Sequence, residues 1–361
     1  MSSIREVAKH AGVSPATVSR AFASPDLINE QTKRRVLDSA RTLEYRPPQN
    51  RSIAGAKVRQ KRNEKNGSFL PDTMGFQFFA ATDSPGDTIA TNNFYAPVLS
   101  GAQAQASELG VNLLVSTTTR NRFLAEAPRM IRERAIEGML LVGRADTEVL
   151  GKFAQNVSEI ILVDYYDKDN GFEGIISDSF GGAYEITRYL VELGHRRIGF
   201  FLGGAMMGTF HLRENGYVCA LFESGITPNR DLVIGATDNE EIATAELYTL
   251  LRSPDRPTAI VAANDTNAIA ALKMCRELRL RVPEDISIAG FDDVESASHT
   301  DPPLTTVRVN KESMGRYAVR SLWDRLKRRE LASGSEAETS PMCHLLPVLP
   351  VIRQSCCPPK S

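Results

Sequence analysis

The stretch Gly12-Val13-Ser14-Pro15-Ala16-Thr17-Val18-Ser19-Arg20 constrains this chain more than any other. The glycine closes one short helix. Ser14 can cap the next, and Pro15 stands at a first helical position, where no N–H is lost. Two short helices around a glycine turn make a helix-turn-helix, whose second helix lies in a DNA major groove. Upstream, Ser3-Ile4-Arg5-Glu6 has the form of a capping box, and Ile4, Val7, Ala8 and Ala11 share one helical face. A third helix follows Asn29 through Val36, Leu37, Ala40 and Leu43. The expected small core is Val7, Val13, Val18, Leu37 and Leu43, which leaves one face of the second helix free to bind.

Charge points the same way. Residues 1–62 hold 13 Lys and Arg against 5 Asp and Glu, leaving 30 against 39 in the remainder, so a near-neutral total hides a basic arm on an acidic body. Basic side chains neutralise phosphates and release counterions. Arg20 can fork onto guanine O6 and N7. Pro15 and Ala16 can only press on a thymine methyl. Ser14, Thr17, Ser19, Asn29 and Thr32 are phosphate candidates, although each could equally serve only as a cap or turn residue.

Elsewhere composition mainly excludes. A chain of 361 residues holds this head and about two further domains. It contains no 18-residue apolar run and no apolar signal core, so a membrane span and export are not expected. The five cysteines, Cys219, Cys275, Cys343, Cys356 and Cys357, lack zinc spacing and suit a reducing cytoplasm. There is no phosphate loop, HExxH or metal-ligand cluster, so no cofactor, metal or catalytic residue is expected. Gly203-Gly204 alone is too weak a signal for a nucleotide loop.

After Tyr45 and Pro47-Pro48 the chain changes character, with a short segment at 50–56 and a basic, polar tether at 57–73. From Met74 short apolar runs alternate with helical ones. Strands are expected at 75–82, 112–116, 138–142, 160–163, 198–202, 232–234, 259–262 and 286–289. Helices are expected at 95–109, near 123–134, and at 147–155, 181–193, 210–224, 241–251 and 266–278. This rhythm specifies parallel sheets with helices on both faces. It exceeds one sheet, and the break at 165–174 divides it into two similar α/β lobes with a cleft between them. Ligands in such folds lie beyond the carboxyl ends of strands. Asp164, Asn264-Asp265 and Asp292-Asp293 fall where strands stop, and Arg213 follows Gly203-Gly204. Together they could grip a hydroxyl-rich small molecule. Asn264, Asp265 or Asp293 could instead cap a helix, and Phe94 and Tyr95 could stack on a ring or simply pack in the core.

These residues fall into a known pattern. Ile4-Arg5-Glu6-Val7-Ala8 with Gly12-Val13-Ser14 and Thr17-Val18-Ser19-Arg20 carries it in the head. In the body it rests on Leu193-Gly194-His195-Arg196-Arg197-Ile198, Arg213-Glu214-Asn215-Gly216-Tyr217, Ala263-Asn264-Asp265, the run from Val282 to Asp293, and Pro302-Pro303-Leu304-Thr305-Thr306-Val307. The chain resembles the lactose-repressor-type (LacI/GalR) transcriptional regulators over nearly its whole length. The resemblance implies a helix-turn-helix head at 1–48, a hinge and basic linker at 49–73, and a two-lobed, periplasmic-binding-protein-like α/β body at 74–361. Lobe 1 would span about 74–164 and 304–326 and lobe 2 about 175–292, with crossings near 164–175, 292–303 and 345–352. A helix at 311–326 would return to lobe 1.

The resemblance further implies a cytoplasmic homodimer on a pseudo-palindromic double-stranded operator, and a small effector, a sugar or sugar derivative, held by Phe94, Asp164, Arg213, Asn264 and Asp292. Tyr45 joins the DNA contacts, and Ile53 takes the place of an apolar wedge in the minor groove. Three departures stand out. Pro48 occupies a place the family usually gives to Asn, the tether is about a dozen residues longer than usual, and a pocket aromatic common near Thr237 is missing. The alternatives are a solute-binding or sugar-metabolising protein on the same body fold. The first would need a signal peptide and no basic head; the second lacks a nucleophile–base pair.

Overall fold

The computed structural model describes residues 4–15, 17, 18, 21, 29–43, 72–80, 88–143, 145–166, 171–204, 208–237, 239–331 and 341–360. They divide into two units, Met1–Leu70 and Pro71–Ser361.

In the first unit, α1 (Ile4–Ala11) stops at Gly12, whose φ of +63° is the left-handed conformation that glycine adopts without strain. The Val13 N–H then reaches back to the Ala8 carbonyl at 3.0 Å and satisfies a terminal acceptor. Ser14 Oγ accepts from the Thr17 N–H at 3.1 Å, and Pro15, Thr17, Val18 and Ala21 are helical. Ser14 is therefore the cap its position suggested. α2 (Glu30–Thr42) opens where Asn29 Oδ1 accepts from the Gln31 N–H at 2.9 Å. Val7, Ala8, Ala11, Val18, Ala21, Val36 and Ala40 form the core, with Val13 and Leu43 at its edge. The expected Leu37 is only half-buried. Val36, Ala40 and Leu43 lie at i, i+4 and i+7 on the facing stripe, and Leu37 sits one residue round from it.

In the second unit, lobe 1 is a six-stranded parallel sheet in the order β11-β5-β4-β3-β1-β2. Its strands are β1 (Thr73–Phe79), β2 (Asn112–Thr118), β3 (Gly138–Val142), β4 (Ile160–Val163), β5 (Glu173–Ser177) and β11 (Cys343–Leu346). β3 and β4 are buried on both faces, as their unbroken apolar runs require. Side chains alternate between two cores. Met74, Phe76, Leu140, Val142, Ile161 and Val163 face α3 (Tyr95–Leu109) and α11 (Lys311–Leu331). Phe79, Met139, Leu141, Ile160 and Leu162 face α4 (Arg120–Ala125), α5 (Arg129–Arg132) and α6 (Thr147–Ala154). On that second face Phe123 and Phe153 stack at 4.2 Å, with Phe79 edge-on to both.

α3 and α11 touch backbone to backbone. A Cβ on Gly101 would lie 2.0 Å from the Glu312 carbonyl oxygen, and one on Gly315 would lie 1.9 Å from that of Val98. The single helix expected near 123–134 is two, α4 and α5. Pro128 precedes α5 and has no N–H with which to continue α4.

Lobe 2 is a four-stranded parallel sheet in the order β7-β6-β8-β9. Its strands are β6 (Ile198–Phe201), β7 (Val233–Ile234), β8 (Ala259–Ala262) and β9 (Ser287–Ala289). Its helices are α7 (Ser179–Glu192), α8 (Gly208–Glu223), α9 (Glu240–Arg252) and α10 (Asp265–Glu277). β10 (Thr306–Val309) and β12 (Val348–Val351) form an antiparallel ribbon, tied to the end of β9 by Ala289–Thr305 and Asp292–Arg308 bridges. The last residues return along β9, where the Ile288 N–H donates to the Ser355 carbonyl at 2.9 Å. His195, fully buried, bonds Thr258 Oγ1 and the Cys357 carbonyl, both at 2.9 Å.

The strand pairing moves the lobe boundaries. β5 belongs to the lobe 1 sheet, so the first crossing follows Ser177 instead of preceding Ile175. Leu304 packs in the lobe 2 core and β10 pairs with β12, so the second crossing falls at Asn310, later than 292–303. The third lies between Leu346 and Val348, inside the expected span. α11 continues to Leu331, one turn past the expected 326. Both sheets reverse their winding, between β1 and β3 in lobe 1 and between β6 and β8 in lobe 2. Crevices for ligands open at the carboxyl ends of strands flanking such a reversal.

Candidate functional site

A buried charged cluster lies at the carboxyl ends of β4, β8 and β9. Arg213, on α8, is 2% exposed. Its guanidinium stacks on the Phe291 ring at 3.8 Å and stands 5.4 Å from the Phe210 ring. Nη1 donates to the Ala263 carbonyl at the end of β8, and Nε donates to Ser179 Oγ at 3.4 Å. Nη2 lies 3.1 Å from Asp292 Oδ1. That oxygen accepts no well-directed hydrogen bond, so the contact is chiefly one of charge.

Asp164 follows β4 with a left-handed φ of 59° and is 5% exposed. Its Oδ2 accepts from the Tyr95 hydroxyl at 2.9 Å, and its Oδ1 is buried without a partner among the described residues. Burial pushes the Asp164 carboxyl up to about 7; the Asp292 charge adds to this, while Arg213 and the Tyr95 hydroxyl oppose it. Burial likewise raises Asp292, against the pull of Arg213 and Lys311. Burial, and then the neighbouring Asp164, hold the Tyr95 phenol well above its ordinary value, so it stays a donor.

The neighbouring aspartates do other work. Asn264 Oδ1 caps α10 by accepting from the Asn267 N–H at 2.8 Å. Asp265, fully buried, reaches across to the Val294 N–H at 2.8 Å and accepts from the Thr306 hydroxyl, joining α10, the segment after β9 and β10. Burial, with the Asp292 charge, pushes its carboxyl up to about 7 despite those bonds. Asp293 pairs with Arg308 at 2.7 Å and Arg353 at 2.6 Å. Burial works against its charge, but hydrogen bonds from the two guanidiniums prevail and hold its carboxyl below the usual range. Neither Asp265 nor Asp293 is a helix cap. Lys311 Nζ donates to the carbonyls of Asp292, Asp293 and Val309, and burial lowers its pKa. Phe94 sits half-buried before α3, 4.9 Å edge-on to Tyr95 and 5.9 Å beneath Lys311 Nζ. Phe94 is the N-cap residue and makes no side-chain cap bond; Asn92 Oδ1 accepts from the Phe94 and Tyr95 N–H groups.

In the head, Ser14 and Pro15 are exposed on the second helix and Thr17 is half-exposed beside them. Asn29 is exposed at the start of α2, with Thr32 half-buried one turn on.

Residues 3–48 match the model for bacterial regulatory proteins of the lacI family, and residues 187–356 match the periplasmic binding protein-like domain. The chain carries a LacI-family helix-turn-helix domain and a periplasmic-binding-protein-like domain. It is 29% identical to the HTH-type transcriptional repressor CytR of Escherichia coli (strain K12) over 337 residues, covering 92% of each chain. It is 28% identical to the HTH-type transcriptional repressor PurR of Aliivibrio salmonicida over 334 residues, 91% of this chain and 93% of that one. The solved complex of the transcriptional regulator CelR with cellobiose superposes with a TM-score of 0.64 at 25% identity, over 98% of this chain and 100% of the other.

Of the five expected cleft residues, Asp164, Arg213 and Asp292 form one electrostatic cluster. Asn264 lies next to it through the Ala263 carbonyl that Arg213 holds, and Phe94 through Tyr95 and Lys311. Of the head residues, Ala16, Ser19, Arg20 and Tyr45 lie outside the described residues, as do Ile53 and nearly all of the linker. Sequence reasoning missed Lys311 and Ser179. Lys311 did leave a signal, because a lysine opening a helix opposes the helix dipole and needs another reason to be there. Ser179 left none. No group of three potential metal ligands occurs, and no helix is long and apolar enough to cross a membrane, among the described residues.

Proposed function

We propose that this chain is a sequence-specific DNA-binding transcriptional repressor whose operator affinity is set by a small carbohydrate or carbohydrate derivative held between its lobes. The observation that carries the reading is one polypeptide with both a capped, basic helix-turn-helix and a buried carboxylate–guanidinium cluster at strand ends. CytR and PurR are repressors, and CelR was solved with cellobiose. Those likenesses support the same role here.

On this reading the chain acts in the cytoplasm as a homodimer on a pseudo-palindromic duplex, and it binds its effector without turning it over. Arg20 reads a guanine edge. Ser14, Thr17, Ser19, Asn29, Thr32 and Tyr45 fix the register on phosphates, Pro15 and Ala16 face thymine methyls, and Ile53 wedges the minor groove. Phe94, Asp164, Arg213, Asn264 and Asp292 hold the effector. The ligand shifts the operator equilibrium only by its affinity difference between the two states. A coupling of roughly 1–3 kcal/mol would change operator affinity about 5- to 150-fold.

The test begins with selection of bound duplexes from a random pool, followed by titration of the winner with a panel of sugars and nucleosides. A dyad-symmetric consensus, lost discrimination at one base pair in Arg20→Ala, and a shift in affinity with one compound are expected. If no dyad-symmetric sequence is enriched, the proposal is wrong.

A further inference from the structure

We infer that the cleft takes an uncharged ligand rich in O–H or N–H donors, that it turns away the phosphorylated or carboxylated form of the same compound, and that Asp164 is the discriminating residue. This rests on the cluster being the effector site, as proposed above.

The cluster offers unmatched acceptors, and each of its cations already has partners. Asp164 Oδ1 is enclosed, accepts no hydrogen bond among the described residues, and is fixed in place by Tyr95 on the other carboxylate oxygen. Asp292 Oδ1 has only the charge contact with Arg213. A carboxylate is acceptor-only, so each of these oxygens asks a ligand for a proton donor. Arg213 donates to Ala263 and Ser179 and faces Asp292, and one face of its guanidinium lies on the Phe291 ring. Lys311 Nζ has three donors, and three backbone carbonyls accept from it. With the aspartates ionised, Asp164, Asp265 and Asp292 against Arg213 and Lys311 sum to one negative charge. A phosphoryl group would bring about 1.5–2 further negative charges, and only acceptor oxygens, to a place already negative and holding two unmatched acceptors among the described residues. A sugar hydroxyl or a base N–H supplies what Asp164 lacks.

Two measurements on the full chain without effector decide it. The first compares unfolding midpoints of wild type and Asp164→Asn. Removing the unsatisfied charge raises the folded-to-unfolded ratio roughly tenfold or more at pH 8, with the gain shrinking at pH 5, where the wild-type carboxyl is protonated. The second titrates inorganic phosphate against chloride at matched ionic strength. Phosphate raises midpoints in general by strengthening apolar burial, and that rise is expected to be the same in wild type and Arg213→Lys. The proposal is overturned if Asp164→Asn is no more stable than wild type at pH 8, or if phosphate raises the wild-type midpoint and Arg213→Lys abolishes that rise. The effector reading fails separately, by operator affinity that ignores every neutral compound while Asp164→Asn behaves as stated.

Discussion

Removing Arg213 should cost much more stability in alkali than in acid, and the difference measures the charge it compensates. Its guanidinium lies 3.1 Å from Asp292, hydrogen-bonds Ala263 and Ser179, and stacks on Phe291 at 3.8 Å. Taking one partner from a buried pair costs about 3–5 kcal/mol, because the other charge remains in the interior. The penalty can be escaped only by protonation. Arg213 lowers the pKa of both Asp164 and Asp292, so in Arg213→Ala both carboxyls rise above their present, already elevated positions. A carboxyl whose folded pKa exceeds its unfolded one binds more protons when folded, so its contribution to stability falls as pH rises between the two values.

Wild type therefore loses stability from about pH 4 up to about 7 through Asp164. The variant loses more, over a window that extends further into alkali. At pH 5 what remains is the lost packing and hydrogen bonds, about 2 kcal/mol; at pH 8 the loss should reach about 4 kcal/mol. Urea unfolding followed by Trp323 fluorescence reads this out, since the sole tryptophan lies on α11 in the same unit. Asp292→Asn in the Arg213→Ala background should restore about half the alkaline loss and little of the acid one. Equal losses at pH 5 and pH 8 would show that Arg213 acts as packing alone and would refute the electrostatic account.

Gly315→Ala would place a methyl 1.9 Å from the Val98 carbonyl oxygen, so α3 and α11 must separate. The urea midpoint should fall by the equivalent of about 1–3 kcal/mol, with Gly101→Ala behaving alike. Ser14→Ala removes the acceptor for the Thr17 N–H and should destabilise the head by about 0.5–2 kcal/mol, read by circular dichroism as an earlier melt of its helices with the Trp323 transition unmoved.

Most of the body could be read from the sequence because buried parallel strands announce themselves. The runs at 138–142, 160–163 and 259–262 are continuous and apolar, and each became a strand with those ends. Gly110 gave α3 its stop, and the helix 95–109 was found whole. β5 and β11 escaped notice. Each is short and carries a polar residue, Glu173 or His344, and they pair with each other across about 170 residues of chain. Their strand character comes from that distant partnership, to which Glu173 also brings Ser321 and Arg325 of α11. Local pattern cannot express a pairing of that kind, so the first crossing was placed too early.

The site shows the same limit in chemical form. Four aspartates, Asp164, Asp265, Asp292 and Asp293, stand after strands, and spacing gives them equal standing. Their partners separate them. Asp265 holds a backbone N–H and a hydroxyl, and Asp293 holds two guanidiniums, so both carboxylates are used up in joining β10 and the last residues of the chain to β9 and α10. Asp164 and Asp292 each keep a buried oxygen that finds no hydrogen-bond donor among the described residues. A buried acceptor left unmatched costs about 1–3 kcal/mol, more when charged. A fold that carries two such oxygens beside one guanidinium forgoes stability where a donor-bearing ligand would restore it. The residues proposed to bind are therefore those whose bonding the described chain leaves unfinished, a property of the folded arrangement that no spacing of aspartates can display.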